Sequence, residues 1–372
     1  MYKTILFTLL ISLSLFGCKS TQHSVTSPKA KIATPKLRFI GEQVILKDTK
    51  FKDTRVGGLS SIDYQDGRYY AISDDKKLPV RFYEMELNYT KDAFEKVTIT
   101  NMVKINTSEK GLDPESLRYD PNLKHYFWGS EGFIRKEIDP VIYEISSDGN
   151  LIKTHKTPSI FKAKNSSKTN GIRRNGTFEG LSMSVNSDYY WIGMELPLKQ
   201  DGEEPQLEKG TYPIRISKLQ KGNDHLVYQF AYLLDSIPKN SIPKNKFIVN
   251  GCPEILEIDE NHFLFLERAY ASGHKDGGNT VKIYIVDCSK ATNIADLPSL
   301  KNTHYVSAKK TLLFNFEEIR HQLTNGIADN IEGITFGKKL KNGNRTLVVV
   351  SDNNFNKFNP QLTQLIVFEI LE

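Results

Sequence analysis

Acidic residues recur at the same two places in five segments of the chain, and their spacing is the first sign of chemistry. The segments are 57–75, 115–132, 179–196, 254–270 and 332–354. Four of them open on a Glu, and all five carry an acid where a second apolar run ends. The nine residues are Asp74, Glu115, Glu131, Glu179, Glu195, Glu254, Glu267, Glu332 and Asp352. The first segment departs from the pattern, because Gly57 stands where the others have Glu.

A metal site follows if the segments are antiparallel hairpins. The start of the first strand and the end of the second then lie at one sheet end, on chains about 4.8 Å apart. In a radial array the nine carboxylates converge on one opening, where they need cations, protonation or salt bridges. Oxygen donors without His or Cys favour a hard ion, Ca²⁺ before Mg²⁺, so all nine are candidate Ca²⁺ ligands. The alternative is that strand-end acids form local turns.

Arginines near these acids are candidate counter-ions or anion contacts. They are Arg118, Arg173, Arg174 and Arg268. Arg268 is the preferred contact for an anionic substrate group, although it directly follows Glu267 and side chains alternate between the faces of a strand. The eight histidines are scattered and the chain has no G-x-S-x-G elbow, which disfavours a serine esterase. His274 alone falls near the predicted opening, where we interpret it as a solvated loop residue.

The elements that must position the acids are short β-type runs bounded by Asp, Asn, Gly and Pro. A third, alternating strand follows each segment, at 80–87, 141–146, 212–219, 281–287 and 364–370. A fourth strand follows four of them, at 96–105, 150–156, 225–234 and 311–316. The last unit has no fourth strand before the sequence ends, and residues 37–46 are predicted to supply it.

This pattern predicts an all-β fold, a β-propeller of five four-stranded blades whose ring is closed by the N-terminal strand. Such closure leaves no sheet edge exposed. A sixth blade within 157–178 or 235–253 stays open, although little strand pattern is found there. A β-sandwich is the structural alternative, but it does not predict an acid at a fixed place in every hairpin.

Composition excludes several classes of protein. The chain of 372 residues is 39% hydrophobic and can bury a large core. Its 50 Lys and Arg against 44 Asp and Glu give a dispersed net charge of +6, too weak to argue for nucleic acid. The three cysteines form neither a disulfide scaffold nor a zinc pattern. Cys252 and Cys288 are predicted at opposite ends of one blade, and therefore reduced.

The N-terminal residues indicate a lipoprotein. Lys3 is followed by an apolar run, 5–16, that is too short to span a bilayer and is typical of a signal peptide. The sequence Leu-Phe-Gly-Cys at 15–18 resembles the bacterial lipobox, which makes Cys18 the acylated first residue after removal of 1–17. The polar stretch 18–37 is predicted to be a flexible tether to a domain over 38–372. We expect a monomer anchored in the cell envelope, on an outer membrane facing the periplasm or the exterior; an ordinary signal peptide is the alternative.

Short motifs in order along the chain resemble the bacterial phytase-like family described by esterase-like activity of phytase. They include GGLS at 57–60, SDD at 73–75, PESL at 114–117, FEGL at 178–181, LER at 266–268, DNIEG at 329–333 and SDNNF at 351–355. The resemblance implies a secreted, propeller-like protein and suggests Ca²⁺-dependent hydrolysis of a phosphorylated small molecule. In that case Glu179, Glu267, Glu332 and Asp352 are the predicted catalytic residues, with Arg268 and Asn353 as substrate contacts.

Two functions from different classes remain open on the sequence. One is a lipid-anchored, Ca²⁺-dependent phosphoesterase acting at the acidic opening. The other is a non-catalytic propeller with structural metal only, whose long loops at 161–176 and 198–210 bind a glycan, a peptide or an envelope partner.

Overall fold

The computed structural model of the chain describes residues 35–77, 79–107, 109, 111–356 and 361–371. The predicted signal peptide, Cys18 and most of the predicted tether lie outside these residues. Strand β1 (Lys36–Ile45) comes first and is followed by a small hairpin of β2 (Lys50–Phe51) and β3 (Thr54–Arg55). No helix in the described ranges is long and apolar enough to cross a membrane.

Four antiparallel sheets of four strands follow in chain order, and we call them blades 1 to 4. Blade 1 consists of β4 (Leu59–Gln65), β5 (Arg68–Ser73), β6 (Arg81–Tyr89) and β7 (Phe94–Lys104). Blade 2 consists of β8 (Pro114–Asp120), β9 (His125–Ser130), β10 (Val141–Ile145) and β11 (Leu151–Thr154). Blade 3 consists of β12 (Phe178–Met183), β13 (Tyr189–Met194), β14 (Tyr212–Gln220) and β15 (Leu226–Leu234). Blade 4 consists of β16 (Ile248–Asp259), β17 (His262–Ala271), β18 (Asn279–Asp287) and β19 (Lys309–Asn315).

Blade 5 closes the ring, as the sequence predicts. It consists of β20 (Ile331–Gly337), β21 (Thr346–Ser351), β22 (Thr363–Leu371) and the N-terminal strand β1. Strand β1 pairs antiparallel with β22 from Lys36↔Leu371 to Ile45↔Thr363. The first strands β4, β8, β12, β16 and β20 each contact the next, and β20 contacts β4. The fold is therefore a five-bladed β-propeller with these strands around its axis.

The loops where a sixth blade stayed open contain no additional sheet in the part of the chain that the structure describes. Residues 157–178 contribute only two short 3₁₀ helices before β12, and 235–247 contain no strand. Short 3₁₀ helices are the only helical elements among the described residues. They are Ile134–Lys136, Ser159–Phe161, Ala163–Asn165, Phe316–Glu318, Arg320–Gln322 and Thr324–Gly326.

Large side chains fill the wedges between blades. Between blades 3 and 4, the Trp191 ring packs edge-on against Phe263 with ring centroids 5.0 Å apart, and Phe230 joins them at 5.8 Å from each ring. Such aromatic pairs contribute about 0.5–1.5 kcal/mol beyond the area they bury. The blades are thus rigid supports for the side chains at their ends.

Close packing of the first strands explains the Glu-Gly pairs in the sequence. A Cβ on Gly333 would lie 2.8 Å from the backbone nitrogen of Ile62, and one on Gly180 would lie 3.2 Å from that of Ile255. At these two positions the absence of a Cβ lets the adjacent first strands approach this closely. Gly180 and Gly333 therefore belong to the ring packing, and the Glu before each of them is left to face the axis.

Both cysteines of the propeller are buried and free, as predicted. Cys252 lies in β16 near the end where Gly251 pairs with Arg268. Cys288 lies at the other end of blade 4, where its N–H donates to the carbonyl of Asn261 in the β16–β17 turn at 2.9 Å.

Candidate functional site

A bulge in the first strand positions the first set of site residues. In blades 1, 2, 3 and 5 the ladder between the first and second strands skips one residue of the first strand. A bulge bends the strand and redirects the extra residue away from the regular pairing. The four bulge residues are Ser60, Glu115, Glu179 and Glu332. Blade 1 therefore carries Ser60 at this position, rather than the Gly57 that comparison of the five segments predicts.

The second set consists of the residues that directly follow the second strands. A backbone hydrogen bond to the first-strand side fixes the position of each one. The N–H of Asp74 donates to the Gly58 carbonyl at 2.7 Å, and that of Glu131 donates to the Asp113 carbonyl at 2.9 Å. The N–H groups of Glu195 and Asp352 make the same bond in blades 3 and 5, at 3.0 and 2.9 Å. These four acids thus stand beside the bulges, at the end of the channel that we call the mouth.

Blade 4 departs from the other blades by one residue. Its register pairs Glu254 with Leu266, as Gly180 pairs with Gly193 in blade 3. Counting outward from that pair, Pro253 occupies the bulge position and Arg268 occupies the position of the second-strand acid. Blade 4 therefore presents an arginine to the mouth where the other four blades present a carboxylate.

Glu254 and Glu267 consequently lie away from the mouth, which corrects the expectation that they join the other acids. Glu254 points into the channel centre, where it accepts from the Ser61 hydroxyl at 2.7 Å and lies 2.8 Å from Arg118. Glu267 takes the face opposite to Arg268, because strand side chains alternate. There it accepts hydrogen bonds from the Tyr232 hydroxyl at 2.5 Å and from Lys310 at 2.6 Å.

The mouth opens into a cavity of about 1170 Å³. Of the nine predicted acids, six line it: Asp74, Glu115, Glu179, Glu195, Glu332 and Asp352. Arg268 also lines it, and its role as a contact for an anionic substrate group stays a prediction. Asp113 is an acid of the cavity that the sequence analysis missed, although it stands only two residues before Glu115.

Asp113, Glu115 and Glu131 form the tightest cluster of carboxylates. One oxygen from each lies within 4.8 Å of the others. The Oδ1 of Asp113 is buried and has no hydrogen-bond partner, while its Oδ2 accepts from Lys76. Glu131 accepts from the N–H groups of Gly176 and Thr177, the latter at 3.0 Å. An all-oxygen donor set with one unused buried oxygen suits a hard divalent cation.

Burial dominates the electrostatics of the mouth, followed by repulsion among the carboxylates. Together they raise the pKa of Glu131 to about 7 and the pKa values of Asp74 and Glu332 to about 8. The pKa values of Glu115 and Glu179 rise well above the ordinary range for the same reasons. Without a cation the mouth therefore holds protons at neutral pH.

Arg268 compensates part of this charge. Its Nη2 lies 2.9 Å from Glu332 and 3.5 Å from Glu195, and its Nε is buried without a partner. Further cations surround the opening, where Lys76, Lys77 and Arg174 are exposed. The cavity thus combines an acidic floor with a basic rim.

The other predicted contacts have structural partners. Asn353 is buried and does not line the cavity, because its Oδ1 accepts from the N–H groups of Gly58 and Phe355, both at 3.0 Å. This corrects its prediction as a substrate contact. His274 lines the cavity, but its ring Nε2 lies 2.7 Å from the carbonyl of Asn240. Arg173 pairs with Glu204 at 3.0 Å.

Fold and mouth together define a five-bladed β-propeller with a buried carboxylate cluster at one end of its axis. The chain belongs to the phytase-like family described by esterase-like activity of phytase, whose model matches residues 54–355. No curated protein matches the chain.

Several solved structures are similar in fold. The catalytic domain of the Coprinopsis cinerea GH62 alpha-L-arabinofuranosidase has a TM-score of 0.42 and 11% identity, covering 91% of this chain and 96% of that one. The native Bacillus subtilis arabinanase Arb43A has a TM-score of 0.42 and 13% identity, covering 89% and 97%. A putative glycoside hydrolase from Bacteroides ovatus ATCC 8483 has a TM-score of 0.42 and 12% identity, covering 91% and 94%. Similarity at this level says nothing about the activity of the chain.

Proposed function

We propose that the chain is a lipid-anchored phosphoester hydrolase that depends on a divalent cation, with Ca²⁺ as the first candidate. The observation that supports the proposal is the cluster of Asp113, Glu115 and Glu131, whose oxygens lie within 4.8 Å of one another beneath a basic rim. Membership of the phytase-like family agrees with this chemistry.

Asp113, Glu115 and Glu131 would hold the cation. The donor set fits, because all three supply oxygen and the Oδ1 of Asp113 has no other partner. A bound cation supplies positive charge that stabilises a phosphoryl oxygen and lowers the pKa of water. The second-strand end holds Glu131 in place for this role, since its backbone N–H is bonded to Asp113.

Arg268 and the rim cations would bind and orient the phosphate. Phosphate groups pair well with a guanidinium, and the cavity lining includes both Arg174, in the loop before β12, and Arg268, in β17. Because Glu195 and Glu332 already contact Arg268, its guanidinium is oriented before a ligand arrives.

Glu179 and Glu332 are the proposed proton-transfer groups. Burial raises the pKa of each, and that of Glu332 reaches about 8, so it can hold a proton at neutral pH and release it to a leaving oxygen. Asn330 donates to the Oε1 of Glu332 at 2.9 Å, which fixes the carboxyl group in the cavity.

Phosphate release by the chain from residue 19 onward tests the proposal. We expect hydrolysis of a small aryl phosphate in Ca²⁺ and none in chelator. The Glu179→Gln, Glu332→Gln double variant should lose turnover but keep Ca²⁺ binding, whereas Asp113→Asn should weaken both. Wild-type turnover no higher than that of the double variant would remove the hydrolase and favour the binding propeller.

Lipid attachment at Cys18 has its own test. The lipobox sequence predicts that the full chain enters the membrane fraction of a bacterial host and incorporates labelled fatty acid. Cys18→Ala should abolish the label, and a label that persists in this variant would contradict the proposal.

A further inference from the structure

The inner hairpin of blade 4 extends past the mouth, unlike those of the other blades. The second strands β5, β9, β13 and β21 end one residue before their site acid, but β17 continues beyond Arg268 to Ala271. Its extension pairs with the start of β16, as Ile248↔Ala271 and Val249↔Tyr270. Blade 4 therefore forms a wall along one side of the cavity.

The cavity side of this wall is apolar. Residues of a strand that lie two apart share a face, so Tyr270 lies on the face that Arg268 presents to the cavity. Val249 lies opposite Tyr270, and Phe247 lies two residues before Val249, directly ahead of β16. All three line the cavity, and we call them the blade-4 wall.

Phe247 is the unusual member of the wall, because 66% of its surface is exposed. Its backbone is held in place, since its carbonyl accepts from the N–H of Ser272 at 3.0 Å. Its ring lies 6.0 Å from that of Tyr270, with 42° between the planes. The exposed Phe247 ring beside the half-buried Tyr270 ring offers a flat apolar surface that gains by being covered.

We propose that the blade-4 wall binds the organic part of the substrate, and that the mouth selects phosphomonoesters with a flat apolar ring face. An aryl group and the face of a sugar ring share this property. Phytate carries phosphate on every ring carbon and offers no such face, so it is disfavoured. The phosphate half of this inference rests on the proposed function, while the ring half rests on the wall alone.

Kinetics of wall variants test the selection. The substrates are 4-nitrophenyl phosphate, glucose 6-phosphate and glycerol 1-phosphate, which has no ring. We expect Phe247→Ala and Tyr270→Ala to raise KM for a ring substrate about tenfold, with glycerol 1-phosphate unchanged. Val185→Ala, at a residue 57% exposed in the β12–β13 turn away from the mouth, is the matched control and should change nothing. The ring substrate whose KM rises more identifies the aryl or the sugar class. Equal changes in KM for the ring substrates and for glycerol 1-phosphate overturn the proposal.

Equilibrium binding separates this inference from the proposed function. Phenylphosphonate and methylphosphonate are not hydrolysed, and calorimetry measures their affinity without turnover. We expect phenylphosphonate to bind about tenfold more tightly, and Phe247→Ala to remove the difference. Tighter binding of phenylphosphonate without any turnover supports ring binding by the blade-4 wall and contradicts only the proposed hydrolase activity. Equal affinities with normal turnover overturn the wall alone, and binding of neither phosphonate overturns both.

Discussion

Two arginines occupy two levels of the same channel, and their surroundings differ in kind. Arg118 lies at the centre, where it donates to carbonyls of the first strands of the four other blades. These carbonyls belong to Ile62, Leu181, Ile255 and Ile334, at 2.5, 2.7, 3.4 and 3.1 Å. Its charge is balanced by Glu254 at 2.8 Å. We call this group the central lock.

Arg268 lies at the mouth, where carboxylates outnumber its single positive charge. It contacts Glu332 and Glu195, while Asp74, Glu115 and Glu179 share the same cavity. Both arginine side chains are largely buried, 2% exposed for Arg118 and 12% for Arg268. A satisfied polar network stabilises a fold, whereas a buried excess of one charge calls for a ligand. We therefore expect the central lock to contribute stability and the mouth to bind a ligand.

Removing Arg118 is expected to have the largest effect. Arg118→Met leaves Glu254 buried without its counter-ion and several carbonyls without a donor, so the free energy of unfolding should fall by about 3–5 kcal/mol. Urea unfolding of the purified chain measures the loss.

A double-mutant cycle with Glu254→Gln is the control. The double variant should recover part of the loss, because the unpaired charge is gone. If the two changes simply add, Arg118 and Glu254 are not coupled, and the central lock is a set of independent contacts.

The fold could be predicted from the sequence because its signals are local and repeated. Alternation in strands such as 81–89 survives in the structure, and so does the acid after the second strand in four of the five blades. Ring closure by β1 could be predicted because four strands recur per unit and the last unit has only three after residue 331.

Blade 4 shows why the site could be predicted only in part. The letters Glu-Ile at 254–255 resemble Glu-Gly at 179–180, but the bulge lies one residue earlier, at Pro253. A bulge is set by the pairing of two strands, and a slip of one residue sends a side chain to the other face. Asp113 was missed because its position, two residues before the bulge, recurs in the structure but carries other residue types in the other blades, namely Gly58, Thr177 and Asn330.

Asp113→Asn should weaken cation binding at the mouth without destabilising the central lock. At a Ca²⁺ concentration of about 100 times the dissociation constant, ligand binding stabilises the wild type by about 2.7 kcal/mol, and the variant should lose most of this gain. Thermal unfolding with and without Ca²⁺ measures it. Asp296→Asn, at an exposed loop residue, should keep the full gain. A variant Asp113→Asn that is stabilised as much as the wild type would place the cation elsewhere.

The pH dependence of stability should also show the protonation of the carboxyl groups at the mouth. The carboxyls of Asp74 and Glu332 have a pKa of about 8 in the folded chain, far above the value of about 4 when unfolded. The folded state thus holds more protons between these values, and the stability they contribute, complete below about pH 4, is lost as pH rises toward 8. Each group contributes at most about 1.4 kcal/mol per pH unit.

Unfolding without Ca²⁺ should therefore become easier from pH 5 to pH 8, and Glu332→Gln should flatten the slope. Saturating Ca²⁺ should flatten it as well, because the cation replaces the protons. A metal-free protein whose stability rises over this range would show that the carboxyls of the mouth are ionised and paired with cations.

Lys76→Ala is expected to have the smallest effect, and whether it strengthens or weakens Ca²⁺ binding is informative. The Lys76 side chain is 65% exposed and pairs with Asp113, so by itself the pair contributes less than about 1 kcal/mol to stability. A cation at Asp113 must compete with this ammonium group. The variant should therefore bind Ca²⁺ a few-fold more tightly while its Ca²⁺-free stability stays within about 0.5 kcal/mol of the wild type, as measured by calorimetry and urea unfolding. Weaker Ca²⁺ binding in the variant would mean that the Lys76 ammonium group holds Asp113 in its binding position. The mouth would then depend on a cationic side chain for its geometry, as the central lock depends on Arg118.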